Sequence, residues 1–279
     1  MIAALVLAAA LLHAAWNALL KSARNRVRSL VVNRLAATCV GAFLLLYLPP
    51  LDAQAWFYVI TAALVHLIYF FALLSAYQYG DFSQVYPISR GTAPLLILLF
   101  SIAFGVDTLS LIDAFGIVLV SIGIIFLART RSISHAVYKN RALGFAFLTA
   151  FCIAGYTLFS GAGVRISGNW LTYAATLEVV SGAIFLITAS MFKRKDVFAK
   201  GYTLAEWRTD ALSGVLAVVG FGIALWAMNS MSIASVAALR ETSVVFATLI
   251  AYVFLKEKYA TKRIIASMIV VAGVSLILL

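Results

Sequence analysis

One pattern runs from end to end of this chain: about twenty apolar residues, then a short interruption, then another apolar run. A helix of about that length spans the hydrocarbon core of a bilayer. Hydrophobic residues fill 64% of the 279 positions and charged residues only 11%. Soluble domains hold roughly half and a quarter. A soluble core grows more slowly than the chain around it, so it has no room for this much apolar surface. In lipid each segment must satisfy its own backbone, which selects helices, and the runs do not alternate as barrel strands do. The expected fold is all-α and polytopic: ten transmembrane helices forming a single membrane domain over residues 1–279.

The expected spans are Ile2–Leu20, Ser29–Leu48, Ala55–Gln78, Ser83–Phe104, Leu109–Ala128, Ala142–Gly163, Trp170–Met191, Thr209–Met231, Ile233–Leu255 and Lys262–Leu279. Pro49-Pro50 ends the second, Gly80-Asp81 parts the third from the fourth, and Met231-Ser232 is nearly all that parts the eighth from the ninth. The first run has no basic residues before it and is too long for a signal peptide, so it is read as a span.

The net charge of +11 does not point to nucleic acid. Lys and Arg sit in clusters between spans, where they set orientation and meet anionic lipid head groups. Of 21 such residues, 17 fall after odd-numbered spans. Arg165 alone follows an even-numbered one, and Arg34, Arg90 and Arg240 lie inside spans. The positive-inside rule then puts both termini outside the cytoplasm. A bacterial inner membrane is the expected location.

Cys39 and Cys152 are isolated within apolar runs, with no metal-ligand spacing, and are read as small buried residues. Ala10, Ala14 and Ala18 form a small-residue ladder, as do Ala146, Ala150 and Ala154. Such ladders let helix backbones approach closely in lipid and carry no chemistry.

The two halves resemble each other. A shift of 150 residues sets Arg90 on Arg240, Thr92 on Thr242, Asp107 on Glu257 and Gly123 on Gly273. A shift of 140 sets Trp16 against Tyr156. Repeat one covers about 1–129 and repeat two about 142–279, with five spans each. An odd number of spans inverts the second repeat, and inverted repeats mark secondary transporters with a site near the midplane.

These features carry a family resemblance. His13-Ala-Ala-Trp16-Asn17 with Lys21, the run from Phe246 to Glu257, and Ala272-Gly273-Val-Ser-Leu-Ile277 resemble the drug/metabolite transporter superfamily of the EamA type. The resemblance covers essentially the whole chain. It implies a carrier of a metabolite or drug, either proton-linked or an exchanger, with no prosthetic group. It does not name the molecule moved.

Ionisable groups inside a span are costly, so they are the first candidates for function. Arg90 and Arg240 each lie about seven residues into a span, roughly 10 Å along the helix axis. Each offers a planar fork to a carboxylate or phosphate. Tyr86 shares Arg90's face one turn earlier. Glu178 and Glu241 are candidates for ion pairing or for carrying a coupled proton. Arg240 and Glu241 are neighbours in sequence and do not face each other on a helix. His13, Trp16 and Asn17 share one face of the first span, as His66 and Tyr69 do in the third. With Tyr156, these are candidate cavity walls, the alternative for each histidine being a hydrogen bond to a nearby carbonyl. Arg34 is expected to snorkel to the head groups.

The expected partners are therefore a small-molecule substrate, membrane lipids and, as a candidate, a coupling proton. Cofactor, metal site and catalytic residues are expected to be none, and nucleic acid is no expected partner. A secondary transporter of an anionic or zwitterionic metabolite, such as an amino acid or related organic acid, is the leading reading. A flippase of a lipid-linked substrate on the same fold is the alternative. An intramembrane enzyme lacks its motifs here (no HExxH, no GxSxG), and no filter motif suggests a channel.

Overall fold

A computed structural model describes residues 1–79, 82–127, 136–192, 201–246 and 261–279. Among them are ten helices and no strands: α1 Ile2–Ser22, α2 Arg26–Leu45, α3 Ala55–Tyr79, α4 Phe82–Ala103, α5 Leu111–Leu127, α6 Ala136–Ile166, α7 Trp170–Phe192, α8 Leu204–Ala227, α9 Ile233–Arg240 and α10 Thr261–Ile277. Seven of these are long and apolar enough to cross a bilayer, and α5 is a shorter apolar helix. The burial pattern is that of a protein in lipid. Alanines such as Ala10, Ala62, Ala146, Ala154 and Ala238 are fully buried, while Phe43, Phe57, Phe147, Ile187 and Met268 are exposed. Small residues inside bring the backbones together, and large apolar ones face the solvent that suits them.

The chain divides into two compact units, Met1–Leu67 with Phe159–Asn229 and Ile68–Leu158 with Ser230–Leu279. Each unit takes helices from both halves of the sequence, and α3 and α6 contribute to both units.

In the first unit α2 lies against α7 and α8, and α1 against α8. Glycines make these approaches possible. A Cβ on Gly214 of α8 would stand 3.0 Å from the Ala36 Cβ and closer still to the Asn33 carbonyl oxygen of α2. A Cβ on Gly41 of α2 would stand 2.9 Å from the Ala175 carbonyl oxygen of α7. Arg165, at the end of α6, donates from Nε to the Met228 carbonyl at 2.9 Å and ties down the end of α8.

In the second unit α5 packs along α10 and α4. Gly116 and Gly273 face each other backbone to backbone, so a Cβ on either would stand 2.6–2.7 Å from the other's carbonyl oxygen. The start of α9 is held from outside its own helix: Asp107 accepts from the Ile233 N–H at 2.7 Å, and the Ser232 side chain caps the Ser235 N–H. A carboxylate there complements the positive helix end.

Four expectations are corrected. Helices α2 and α8 start earlier than expected, at Arg26 and Leu204, so Arg26, Arg28 and Arg208 are helical rather than loop residues. Helix α6 runs from Ala136 to Ile166 and likewise absorbs Arg141 and Arg165. Long basic side chains reach the interface from a helix end, so charge alone does not stop a helix. Cys39 is exposed rather than buried, while Cys152 is buried; a thiol is apolar enough to face lipid.

The fourth correction concerns the ninth span, which is not one continuous helix. Helix α9 ends at Arg240, Glu241 and Thr242 form a turn, and residues 243–246 are helical again. Bonds of i+3 type cross the break: the N–H groups of Glu241 and Thr242 reach the carbonyls of Ala238 and Leu239, and the Thr242 hydroxyl also donates to Leu239 at 2.7 Å. A threonine that bonds its own backbone competes with the helical ladder. Helix α4 keeps going despite Pro87 and Pro94. The rest of the ninth span and its motif through Glu257 lie outside the described residues.

Candidate functional site

Helices α4, α6 and α9 bring their polar residues together inside the second unit. Arg90, Ala93, Pro94 and Ile97 of α4, Ile153, Tyr156 and Thr157 of α6, and Ala237, Arg240 and Glu241 at the helix break line one cavity. Its free space is about that of a water molecule. Arg90, Arg240 and Glu241 are buried there at 5%, 9% and 4% exposure.

Arg90 Nε lies 2.9 Å from Glu241 Oε2. The distance is that of an ion pair, although the N–H is not aimed along the line to that oxygen. The guanidinium also sits 5.9 Å from the centre of the Tyr86 ring, at the outer reach of a cation–π contact. Tyr69 meets Tyr156 edge to face at 5.7 Å, and both rings lie within coulombic reach of Arg90. Tyr156 is within reach of Arg240 as well.

Local sequence explains how α4 presents this surface. Tyr86 and Arg90 are one turn apart and share a face. Pro94 has no N–H to give the Arg90 carbonyl, so the usual helical bond is missing at the cavity wall. At the other wall, Arg240 ends its helix and Glu241 follows at the turn. Two guanidinium groups and one carboxylate thus share a small cavity that Tyr156 also lines. Such a set can hold an anionic group on forked donors and an ammonium group on the carboxylate.

The other expected residues belong to the first unit. His13, Trp16 and Asn17 bond among themselves along α1: Trp16 Nε1 donates to His13 Nδ1 at 3.2 Å, and Asn17 Nδ2 donates to the His13 carbonyl at 2.8 Å. The His66 ring lies 6.0 Å from that of Phe221. Glu178 is buried and pairs with Arg34 Nη1 at 3.2 Å, and Asn33 Oδ1 accepts from the same guanidinium at 3.0 and 3.1 Å. Arg34 therefore does not snorkel. A buried carboxylate within reach is a better partner than a distant head group.

Sequence reasoning passed over a further polar cluster in this unit, made by Ser29, Asn33, Tyr202, Asp210 and Ser213. The available signal was Asp210, an acidic residue just inside the eighth expected span.

The architecture is that of an integral, all-helical membrane protein with charged groups gathered in its interior. The EamA-like transporter family matches residues 1–129 and 140–279, and the chain belongs to that family. A solved crystal structure among those that match resembles it with a TM-score of 0.77 at 17% identity, over 99% of this chain and 94% of its own, a likeness of fold. Comparison with curated proteins gives no match. The family consists of membrane transporters of small molecules, and that is the class of this chain.

Proposed function

We propose that the protein is a secondary carrier of a small anionic or zwitterionic metabolite, an amino acid or related organic acid, and that the cavity of the second unit takes its charged end. One observation carries this reading: two buried arginines share one cavity with a single carboxylate, at a helix break. Two guanidinium groups and one carboxylate line this cavity, and forked donors of that kind suit a carboxylate. The ammonium group of a zwitterion finds its complement in Glu241. Broken helices with exposed backbone groups are a common way for transporters to build such sites. The cavity is too small for a metabolite, so loading requires its walls to part, as alternating access supposes.

The test is uptake into proteoliposomes, using amino acids and organic acids that first raise the melting temperature of the purified protein. Arg240→Gln is expected to lower transport roughly tenfold or more, the worth of one hydrogen bond to a charged group. Its melting temperature should hold, and Arg240→Lys should recover part of the activity. Undiminished transport by Arg240→Gln, or a purely cationic substrate, ends this reading.

Both termini are expected on the non-cytoplasmic side, from the Lys and Arg asymmetry. A phosphatase fused to the C-terminus should be active and a fluorescent protein dark. The reverse pattern inverts the orientation.

A further inference from the structure

We propose that Asp210 is a reversible proton-binding site of the first unit, distinct from the cavity of the second. The inference begins with how buried carboxylates are accommodated. A carboxylate removed from water needs a cation beside it or a proton on it. Glu178 and Glu241 take the first course, with Arg34 and Arg90. Asp210 is as deeply buried, at 3% exposure, and lies six residues into α8. Among the described residues it belongs to no ion pair. Its two oxygens accept from hydroxyls: Ser29 Oγ at 2.5 Å on Oδ1 and the Tyr202 phenol on Oδ2.

Hydroxyl partners suit a group that changes protonation state. A guanidinium can only donate, so a proton arriving on its carboxylate breaks the pair. A hydroxyl both donates and accepts. When hydronium gives its proton to Oδ2, an O–H bond forms there as one in hydronium breaks, and water is left behind. The phenol's hydrogen bond to Oδ2 is replaced by one from the new acid O–H to the Tyr202 oxygen, and the phenol proton turns outward. One positive charge has entered, and the reverse step returns the proton to water. Tyr202 stands two residues before α8, next to the exposed Gly201, so the proton's route in runs past the start of α8.

Among the described residues, these charged groups lie on the elements around the site. From α2, the Arg28 guanidinium sits 4.0 Å from the centre of the Tyr202 ring, and Arg34 is held by Asn33 and Glu178. From α7 comes Glu178 itself. On α8, Glu206 caps the helix start and faces Arg24 at 3.6 Å, and Arg208 is exposed. On α1, His13 lies further along, where Gly220 of α8 passes.

Protonation has a mechanical consequence. The Ser29–Asp210 bond pins α2 to α8, and one turn on Asn33 Nδ2 donates to Ser213 Oγ at 2.8 Å while Ser213 donates to the Asp210 carbonyl. Asn33 in turn holds Arg34, which pairs with Glu178 of α7. A bond to an ionised carboxylate is about twice as strong as one to a neutral acid. Uptake of a proton therefore loosens the seam between α2 and α8.

The experiment is an infrared pH titration of the purified full-length protein in lipid nanodiscs, without substrate, read in the carbonyl stretch of protonated carboxylic acids. A band is expected to grow as pH falls, to vanish in Asp210→Asn, and to persist in Glu178→Gln and Glu241→Gln. Tyr202→Phe and Ser29→Ala should each move its midpoint. A band that survives Asp210→Asn, or midpoints unmoved in both hydroxyl variants, overturns the proposal. Should Asp210→Asn fail to fold, the hydroxyl variants decide alone. A midpoint that shifts when sodium replaces potassium at fixed ionic strength assigns the site to a metal cation and also overturns it. The readout needs no transport, so it stands apart from the test of Arg240.

Discussion

Arg90→Gln is expected to destabilise the protein by about 3–5 kcal/mol, the cost of leaving one partner of a buried ion pair behind. The partner left is Glu241, 4% exposed and sited where a helix has already given up part of its ladder. The deficit should lie in the ion pair and not in the shape of the side chain. The double variant Arg90→Gln with Glu241→Gln should therefore recover much of the loss, because two neutral amides carry no unbalanced charge. Melting of the two single variants and the double variant forms a thermodynamic cycle. Additive losses would show that Arg90 and Glu241 act independently, against the 2.9 Å contact. Transport separates the roles further. If Arg90 only balances Glu241, the double variant should transport nearly as wild type; if it also meets substrate, stability returns and transport does not.

The second large effect is expected in the first unit. Glu178→Gln and Arg34→Gln should each cost stability on the same scale, about 3–5 kcal/mol, since each leaves a buried charge at the α2–α7 contact. Arg34→Gln should be the worse of the two, because it also removes the donors that hold the Asn33 side-chain oxygen. A charge exchange, Arg34→Glu with Glu178→Arg, should fall between wild type and the single variants. Thermal unfolding in detergent measures all three. Melting within a degree or two of wild type for both single variants would show that the pair is dispensable.

Much of this was legible in the residues. The apolar runs located the helices, and the short connection at Met231-Ser232 parts α8 from α9. Arg90, Arg240, Glu241, Tyr86, Tyr69 and Tyr156, chosen as ionisable or amphipathic groups inside spans, lie in the second unit. Glu178 was picked out, but its partner was not. Arg34 lies near an end of its span, which alone suggests snorkelling, but its partner Glu178 sits on another helix. The α9 break escaped notice because no proline marks it; Thr242 and the i+3 bonds around it do the work there. Asp210 was overlooked because a polar residue near a span end costs little on a hydropathy count.

What the sequence determined by itself is whatever a segment must settle alone. In lipid a helix satisfies its own backbone, so length and apolarity are enough to place it. The excess of Lys and Arg on alternate loops is likewise a sum over positions, readable without any contact. The tertiary structure decided which charge neutralises which. Arg34 and Glu178 are 144 residues apart, and nothing local to either names the other. It also decided that Asp210, among the described residues, accepts from two hydroxyls and belongs to no ion pair. The energy of a buried charge depends on distance to its neighbours and on the water they exclude, and both are properties of the packed helices rather than of any one of them.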